Sequence, residues 1–186
     1  MKKLSLFLVA LFAFVATPLA AQSKGIATSA DPRATAAGAE ILAKGGSASD
    51  AAMAMMLALT VVEPQSSGIG GGGFLVHYDA KGATISTING RETAPAAATP
   101  QRFTDAEGKP LPFLQAFPGG KSVGVPGNIS LMAEAHRKWG KLKWAEIFQP
   151  AIRLAEKGFV VNQTLDSRLA MIERLWPKFE TAKSIY

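Results

Sequence analysis

Residues 89–95, with the sequence Asn-Gly-Arg-Glu-Thr-Ala-Pro, hold an arginine and a glutamate that could bind a ligand. The Asn-Gly pair favours a turn, which would lift Arg91 and Glu92 off the end of a strand, and Pro95 restricts the backbone that follows. The planar guanidinium of arginine can donate two parallel hydrogen bonds to a carboxylate, which lysine cannot. Arg91 is therefore a candidate carboxylate-binding residue, although by spacing alone an arginine in a loop is more often a solvated surface group.

A run of glycines before this segment matches the spacing of a dinucleotide-binding loop. Gly68, Gly70 and Gly73 occupy the three glycine positions of the G-x-G-x-x-G pattern. That loop follows a strand and opens a helix whose first N–H groups face the pyrophosphate, whereas here a helix is predicted before the glycines and a strand after them. The glycine run is also not followed by the Lys-Ser/Thr that completes a P-loop. We therefore predict a tight passage of backbone rather than a nucleotide site.

Side chains that commonly bind metals or act as nucleophiles are scarce. His77 and His136 are the only histidines, so no His-x-x-x-His pair can form, and the chain has no cysteine. Disulfides, iron–sulfur clusters and a thiolate nucleophile are therefore excluded. The Ser-x-x-Lys motif is also absent. We predict no metal site and expect His77 to be a half-buried strand residue rather than a general base.

Residues 136–144 combine basic and aromatic side chains, a pattern that could indicate binding to nucleic acid. They have the sequence His-Arg-Lys-Trp-Gly-Lys-Leu-Lys-Trp. A solvated helix end explains them more simply, because basic side chains interact favourably with the negative end of the helix dipole. The formal net charge is +6, and it falls to a mild +4 without Lys2 and Lys3. We predict no nucleic-acid partner.

The amino terminus has the pattern of a secretory signal peptide. Lys2 and Lys3 precede an apolar run from Leu4 to Val15, and small residues follow up to Ala21. A membrane anchor is the alternative, but about 12 apolar residues are too few to cross roughly 30 Å of hydrocarbon. We therefore predict a signal peptide at residues 1–21, a periplasmic or secreted protein, and no membrane association after the signal is removed.

The remaining sequence predicts one domain of mixed α and β structure. Its length of 186 residues, with 48% hydrophobic and 18% charged residues, is typical of a globular domain. Asp31-Pro32, Ser47-Ala48-Ser49-Asp50 and Asn128 have the character of helix starts, and a helix that is apolar on every side predicts a buried core element. The predicted elements are helices at 33–44, 51–62 (the apolar one), 129–139, 144–157 and 165–176, a hairpin of strands at 74–79 and 83–88, and a long irregular segment at 91–126.

Several blocks, taken together, resemble the start of the large subunit of gamma-glutamyltranspeptidase. They occur in the order of that family and cover nearly all of the chain beyond the leader. No single block is specific, but the combination is. The blocks are Asp31-Pro32 with the helix after it, Gly45-Gly46-Ser47-Ala48-Ser49-Asp50-Ala51-Ala52, residues 63–74 from Glu-Pro-Gln-Ser-Ser-Gly to Phe, Gly90-Arg91-Glu92-Thr93-Ala94-Pro95, Val123-Gly124-Val125-Pro126-Gly127, and residues 144–159.

The resemblance implies an α/β (α+β) fold, the αββα sandwich of N-terminal nucleophile hydrolases, present only in part. Residues 22–186 would be an incomplete N-terminal portion of the large subunit, made in a precursor that cleaves itself. The implied enzyme transfers the γ-glutamyl group of glutathione and other γ-glutamyl compounds to water or to an amino acid or peptide, without a metal or organic cofactor. Its partner would be the small subunit from the same precursor, whose N-terminal threonine is the nucleophile and uses its own amino group as base.

By the same resemblance, Arg91 binds the α-carboxylate of the γ-glutamyl group, and the glycine-rich block supports the site without supplying ligands. The nucleophile of the family lies beyond Tyr186, so we assign no catalytic residue to this chain and expect the isolated chain to be inactive and poorly soluble. Two alternatives remain open. The chain could be a natural non-catalytic scaffold or one subunit of a split enzyme, or it could belong to a related N-terminal nucleophile acylase.

Overall fold

The computed structural model describes residues 25–185, so the signal peptide predicted at residues 1–21 lies outside the described residues. These residues form a helical layer against one antiparallel hairpin, which agrees with the predicted mixture of α and β structure. Within this range no helix is long and apolar enough to cross a membrane. The elements are α1 (Pro32–Ala43), α2 (Ala48–Val62), β1 (Gly73–Asp79), β2 (Thr84–Gly90), α3 (Phe113–Ala116), α4 (Asn128–Trp139), α5 (Trp144–Lys157), α6 (Gln163–Ile172) and α7 (Glu180–Ile185).

Helix α1 begins and ends where the capping signals predict. The side chain of Asp31 accepts a hydrogen bond from the backbone N–H of Arg33, and Pro32 occupies the first turn, where its missing N–H is no loss. Gly45 follows the helix with φ of 85°, a conformation that glycine adopts without strain. The predicted helix at 33–44 is therefore confirmed to within one residue at each end.

Helix α2 starts with the predicted capping box, and the acid of that box has a second role. The Ser47 hydroxyl accepts from the Asp50 N–H at 3.0 Å, and Asp50 Oδ2 accepts from the Ser47 N–H at 2.9 Å. Asp50 Oδ2 also accepts from the N–H groups of Lys141 and Leu142, at 2.9 and 3.2 Å. Because Asp50 is fully buried, this one carboxylate joins the start of α2 to the connection between α4 and α5.

The body of α2 is the centre of the core, as its apolar sequence predicts. No residue from Ser49 to Val62 is exposed. The helix packs against α1 and α5, and α4 lies between α2 and the hairpin. The largest buried side chains of this core are Ile41, Met53, Leu57, Leu131, Met132 and Ile147.

Strands β1 and β2 form the predicted hairpin, in a register that pairs Leu75 with Ile88 and His77 with Ser86. This face of the hairpin packs against α4, where Leu75 is 8% exposed. The second strand begins one residue later than predicted, because Ala83 has φ of 48° and belongs to the turn. The opposite face of the hairpin is apolar and exposed within the described residues.

Two predictions for the later helices are wrong in detail. Asn128 does not cap α4; its side chain is buried and donates to the carbonyl oxygen of Gly68 at 2.7 Å. The last long helix was predicted at 165–176 but runs from Gln163 to Ile172, because Asn162 caps it by accepting from the Leu165 N–H at 2.8 Å. A 3₁₀ segment, Glu173–Lys178, follows it.

Candidate functional site

Arg91 lies directly after β2, at the end of the hairpin. Asn89 and Gly90 are the last residues of the strand, and Asn89 Oδ1 accepts a hydrogen bond from the Arg91 N–H at 3.0 Å. This local bond turns the chain away from the sheet. The Arg91 side chain is 54% exposed, so the structure places its guanidinium off the strand end, as predicted.

The backbone around Arg91 is held by glycines that let three segments approach closely. A Cβ atom at Gly72 would lie 2.5 Å from the carbonyl oxygen of Gly90 and 2.8 Å from Cα of Arg91. A Cβ atom at Gly127 would also collide with the carbonyl oxygen of Gly90. The Gly71 carbonyl accepts from the N–H groups of both Gly127 and Asn128 at 3.0 Å. The glycine block is therefore a tight backbone passage, as predicted.

An open cavity of about 720 Å³ lies beside Arg91. The irregular segment between β2 and α4 forms most of its wall and is closed into a loop by backbone hydrogen bonds between Thr93 and Val125, at 2.9 and 3.4 Å. A volume of this size is in the range of small-molecule sites. The cavity is lined by Gly70, Arg91, Glu92, Thr93, Ala94, Pro95, Ala98, Thr99, Arg102, Phe103, Lys121, Ser122, Val123 and Gly124.

The charged lining of the cavity consists of three cations and one acid. Arg91 Nη2 lies 3.0 Å from Glu92 Oε2, and Glu92 is the more buried partner with 28% exposure. Arg102 donates through Nε to the carbonyl oxygen of Lys121 at 2.6 Å and through Nη2 to that of Gly120 at 3.3 Å. The cavity is therefore electropositive, and the positions of two of its cations are constrained by bonds to neighbouring groups.

The two histidines lie elsewhere. The His77 ring stacks on Trp139 at a centroid distance of 4.1 Å, and its Nδ1 lies 3.2 Å from Ser49 Oγ. It is half-buried, as expected of a strand residue. His136 Nε2 is 2.8 Å from the carbonyl oxygen of Leu142, at the end of α4. Among residues 25–185, no group of three or more acidic or histidine side chains is placed to hold a metal ion.

Sequence reasoning missed Arg102 and Lys121 as members of the site. Both lie in the irregular segment, where no periodicity relates one residue to another. They reach the Arg91 cavity because the Thr93–Val125 bonds close the segment and Arg102 binds the backbone at residues 120 and 121. Only the prolines and glycines of the segment, which favour a long shaped loop, could have pointed to it.

The chain is similar to known proteins along most of its length. A family model described as gamma-glutamyltranspeptidase matches residues 34–186. The glutathione hydrolase proenzyme of Bacillus subtilis (strain 168) is 47% identical over 141 residues, which make up 76% of this chain and 24% of that protein. The chain thus spans about a quarter of the length of that relative.

Two solved structures show the same architecture. The gamma-glutamyltranspeptidase of Helicobacter pylori superposes with a TM-score of 0.82 at 36% identity, over 87% of this chain and 46% of that one. A cephalosporin acylase from Bacillus halodurans superposes with a TM-score of 0.70 at 36% identity, over 80% of this chain and 27% of that one. These likenesses confirm the predicted fold class, an N-terminal nucleophile hydrolase fold present in part.

Proposed function

Because the chain belongs to the gamma-glutamyltranspeptidase family, a family of enzymes, we propose that the protein containing it cleaves the γ-glutamyl amide of glutathione and related compounds. The γ-glutamyl group would pass to water or to an amino acid or peptide acceptor. The observation that carries the proposal is the position of Arg91, at the end of β2 and at the wall of an electropositive cavity.

In this proposal Arg91 binds the α-carboxylate of the γ-glutamyl group. Its guanidinium can donate two hydrogen bonds to one carboxylate, and its backbone is fixed by Asn89 and by the close approach of Gly72. A substrate held by its amino-acid head presents the γ-carbonyl in a defined place. This positioning reduces the entropy that the reactants lose on reaching the transition state. The chain would thus supply the binding part of the active site.

The nucleophile in this proposal is an N-terminal threonine that lies beyond Tyr186 and is created by self-cleavage of a precursor. Its amino group would accept the hydroxyl proton as the oxygen attacks the γ-carbonyl, which forms a γ-glutamyl ester and releases the amine. Water or an acceptor amine would then open the ester. The small subunit that carries this threonine would be the partner of the present chain, and the leader at residues 1–21 would direct the precursor to the periplasm or out of the cell.

Replacing Arg91 in the complete protein tests the proposal. Arg91→Ala should lower kcat/KM for glutathione by about 100-fold or more, because each hydrogen bond between charged groups contributes about 1.5–3 kcal/mol. Self-cleavage into two subunits, followed on a denaturing gel, should continue. Arg137→Ala, an exposed arginine of α4 paired with Glu134, is the matched control and should keep wild-type kinetics. Unchanged glutathione kinetics in Arg91→Ala would refute the assigned role.

An acylase is the second candidate, because the fold also matches a cephalosporin acylase. The two candidates differ in what Arg91 must recognise, since a γ-glutamyl donor brings an α-carboxylate and an α-ammonium group. Assaying the complete protein on glutathione and on a cephalosporin with an amide side chain separates them. Faster cleavage of the cephalosporin would favour the acylase.

A further inference from the structure

The cavity beside Arg91 carries more positive charge than the γ-glutamyl group can neutralise. Arg91 and Glu92 form a pair 3.0 Å apart with no net charge. The γ-glutamyl head is itself zwitterionic, with one carboxylate and one ammonium group, and so adds no net charge. Arg102 and Lys121, which line the same cavity, remain without a negative partner in the proposed function.

The guanidinium of Arg102 is held in a fixed orientation by two hydrogen bonds to backbone carbonyl groups. Two of its three guanidinium nitrogens, Nε and Nη2, donate to the carbonyl oxygens of Lys121 and Gly120. These bonds fix the plane of the group and leave Nη1 to bind a ligand. They also bring the Lys121 backbone against Arg102, so that the two residues line the same part of the cavity.

We propose that Arg102 and Lys121 form a second carboxylate subsite, which binds the carboxylate at the far end of the donor, on the part that leaves as the amine. This inference rests on the proposed function and concerns how the same cavity would recognise a γ-glutamyl donor that has a free terminal carboxylate. Such donors have two carboxylates, and the cavity has a cationic group for each. Its volume of about 720 Å³ leaves room for a small peptide.

A pair of substrates that differ only in the second carboxylate tests this subsite. Glutathione and its glycine carboxamide are compared as donors for the complete protein, without an added acceptor. The wild-type ratio of kcat/KM, acid over carboxamide, should be about 10. The ratio should fall to about 3 in Arg102→Gln and in Lys121→Gln, to about 1 in the double variant, and below 1 in Lys121→Glu, where the new charge repels the acid.

The ratio separates a loss of recognition from a loss of folding, because a folding defect lowers the rate of both donors equally. Lys81→Gln, an exposed lysine in the hairpin turn, is the matched control and should keep the wild-type ratio. A wild-type ratio near 1 with rapid turnover of both donors, or an unchanged ratio in the double variant, would overturn the subsite alone. Failure of the wild-type protein to cleave either donor would overturn the proposed function and the subsite with it.

Discussion

Arg91 gains its position from the backbone, and the glycines around it contribute space rather than chemistry. Gly72 lies against the carbonyl group of Gly90 and Cα of Arg91, and both belong to main chain that cannot rotate away. A side chain at this position would therefore push Arg91 itself. At the residue scale, the site depends as much on the absence of a Cβ atom as on the guanidinium.

This dependence predicts that Gly72→Ala in the complete protein lowers both stability and substrate binding. The new methyl group would lie 2.5 Å from the Gly90 carbonyl oxygen and 2.6 Å from the Glu92 nitrogen. Overpacking of this kind typically lowers the free energy of unfolding by about 1–3 kcal/mol. The urea midpoint should fall, and KM for glutathione should rise several-fold as Arg91 shifts.

Gly68→Ala provides the matched control in the same loop. A Cβ atom at Gly68 meets nothing within 4 Å, and its carbonyl bond from Asn128 would remain. This variant should therefore keep the wild-type midpoint and KM. If both variants behaved alike, the close approach of Gly72 to Gly90 would not be what positions Arg91.

Sequence alone could identify Arg91 only in part. The chemistry of the guanidinium and the Asn-Gly pair made it a candidate, but its specific role came from the resemblance of residues 90–95 to one family. Arg102 and Lys121 could not be found, because their place in the site depends on how a long irregular segment closes. Backbone bonds between residues far apart in that segment, such as Thr93 with Val125, leave no pattern of residue types.

At the scale of elements, the start of α1 is joined to the start of α6 by a single buried carboxylate. Asp31 Oδ1 accepts from the N–H and Nε of Arg33 at 2.8 Å, and Oδ2 accepts from Arg33 Nη2 at 2.6 Å and from Asn162 at 3.3 Å. Arg33 also donates to the Val160 carbonyl oxygen at 2.7 Å. These bonds to Arg33 hold the pKa of Asp31 below its usual value.

The lowered pKa predicts a pH-dependent stability. A carboxyl group whose pKa is lower in the folded state stabilises it above the unfolded pKa of about 3.9, and this contribution is lost as pH falls through the folded pKa. Asp31→Asn should therefore lower the free energy of unfolding by about 1–3 kcal/mol at pH near 7, where charged hydrogen bonds are lost. The difference from wild type should persist to about pH 5 and shrink below about pH 4.

Urea unfolding of the complete protein at several pH values measures this difference. Asp79→Asn is the control, because Asp79 is the exposed last residue of β1 and accepts a local hydrogen bond from the Lys81 N–H at 3.0 Å. That variant should match wild type throughout. A gap between Asp31→Asn and wild type that stayed constant from neutral to strongly acidic pH would show that the charge of Asp31 contributes nothing.

The elements that sequence predicted best are those with local signals. The caps at Asp31 and Ser47 and the apolar run of α2 are determined by residues close in the chain, and the structure matches them. Asn128 was misassigned because an asparagine before a helix usually caps it, whereas here its side chain satisfies a carbonyl 60 residues away. The start of α6 was predicted two residues late because Asn162 follows Phe159 and two valines, which gave no signal of a helix start.

At the scale of the whole molecule, one face of the hairpin lacks cover among the described residues. Phe74, Val76, Tyr78 and Ile85 lie on this face and are 61–70% exposed. Such a contiguous apolar strand surface favours association, either with other parts of a protein or with a second copy.

We therefore predict that the isolated chain, residues 22–186, self-associates through this face. Val76→Thr with Ile85→Thr should raise the soluble monomer fraction, because threonine retains strand propensity and removes apolar surface. Light scattering during size-exclusion chromatography measures the fraction. Ile26→Thr with Val160→Thr, which removes apolar side chains 96% and 87% exposed outside the hairpin, should change it little. A monomeric wild-type chain would contradict the prediction.

The fold class of the whole protein could be predicted only through the family resemblance. Two capped helices, a hairpin and a helical tail are compatible with many α/β proteins. The exposed hairpin face does not by itself identify the segment that packs on it. Local sequence signals thus predict the individual helices and strands, whereas the order of the sequence blocks indicates the fold class.

The central claim, that Arg91 binds the α-carboxylate of a γ-glutamyl donor, is tested most directly by changing both partners of that contact. The complete protein and its Arg91→Ala variant are each assayed on a γ-glutamyl donor and on the same donor with the α-carboxylate converted to a carboxamide. In wild type this conversion should lower kcat/KM by about 100-fold, whereas in Arg91→Ala it should change kcat/KM by less than about threefold. An equal loss in both proteins would show that Arg91 does not contact the α-carboxylate and would contradict the account.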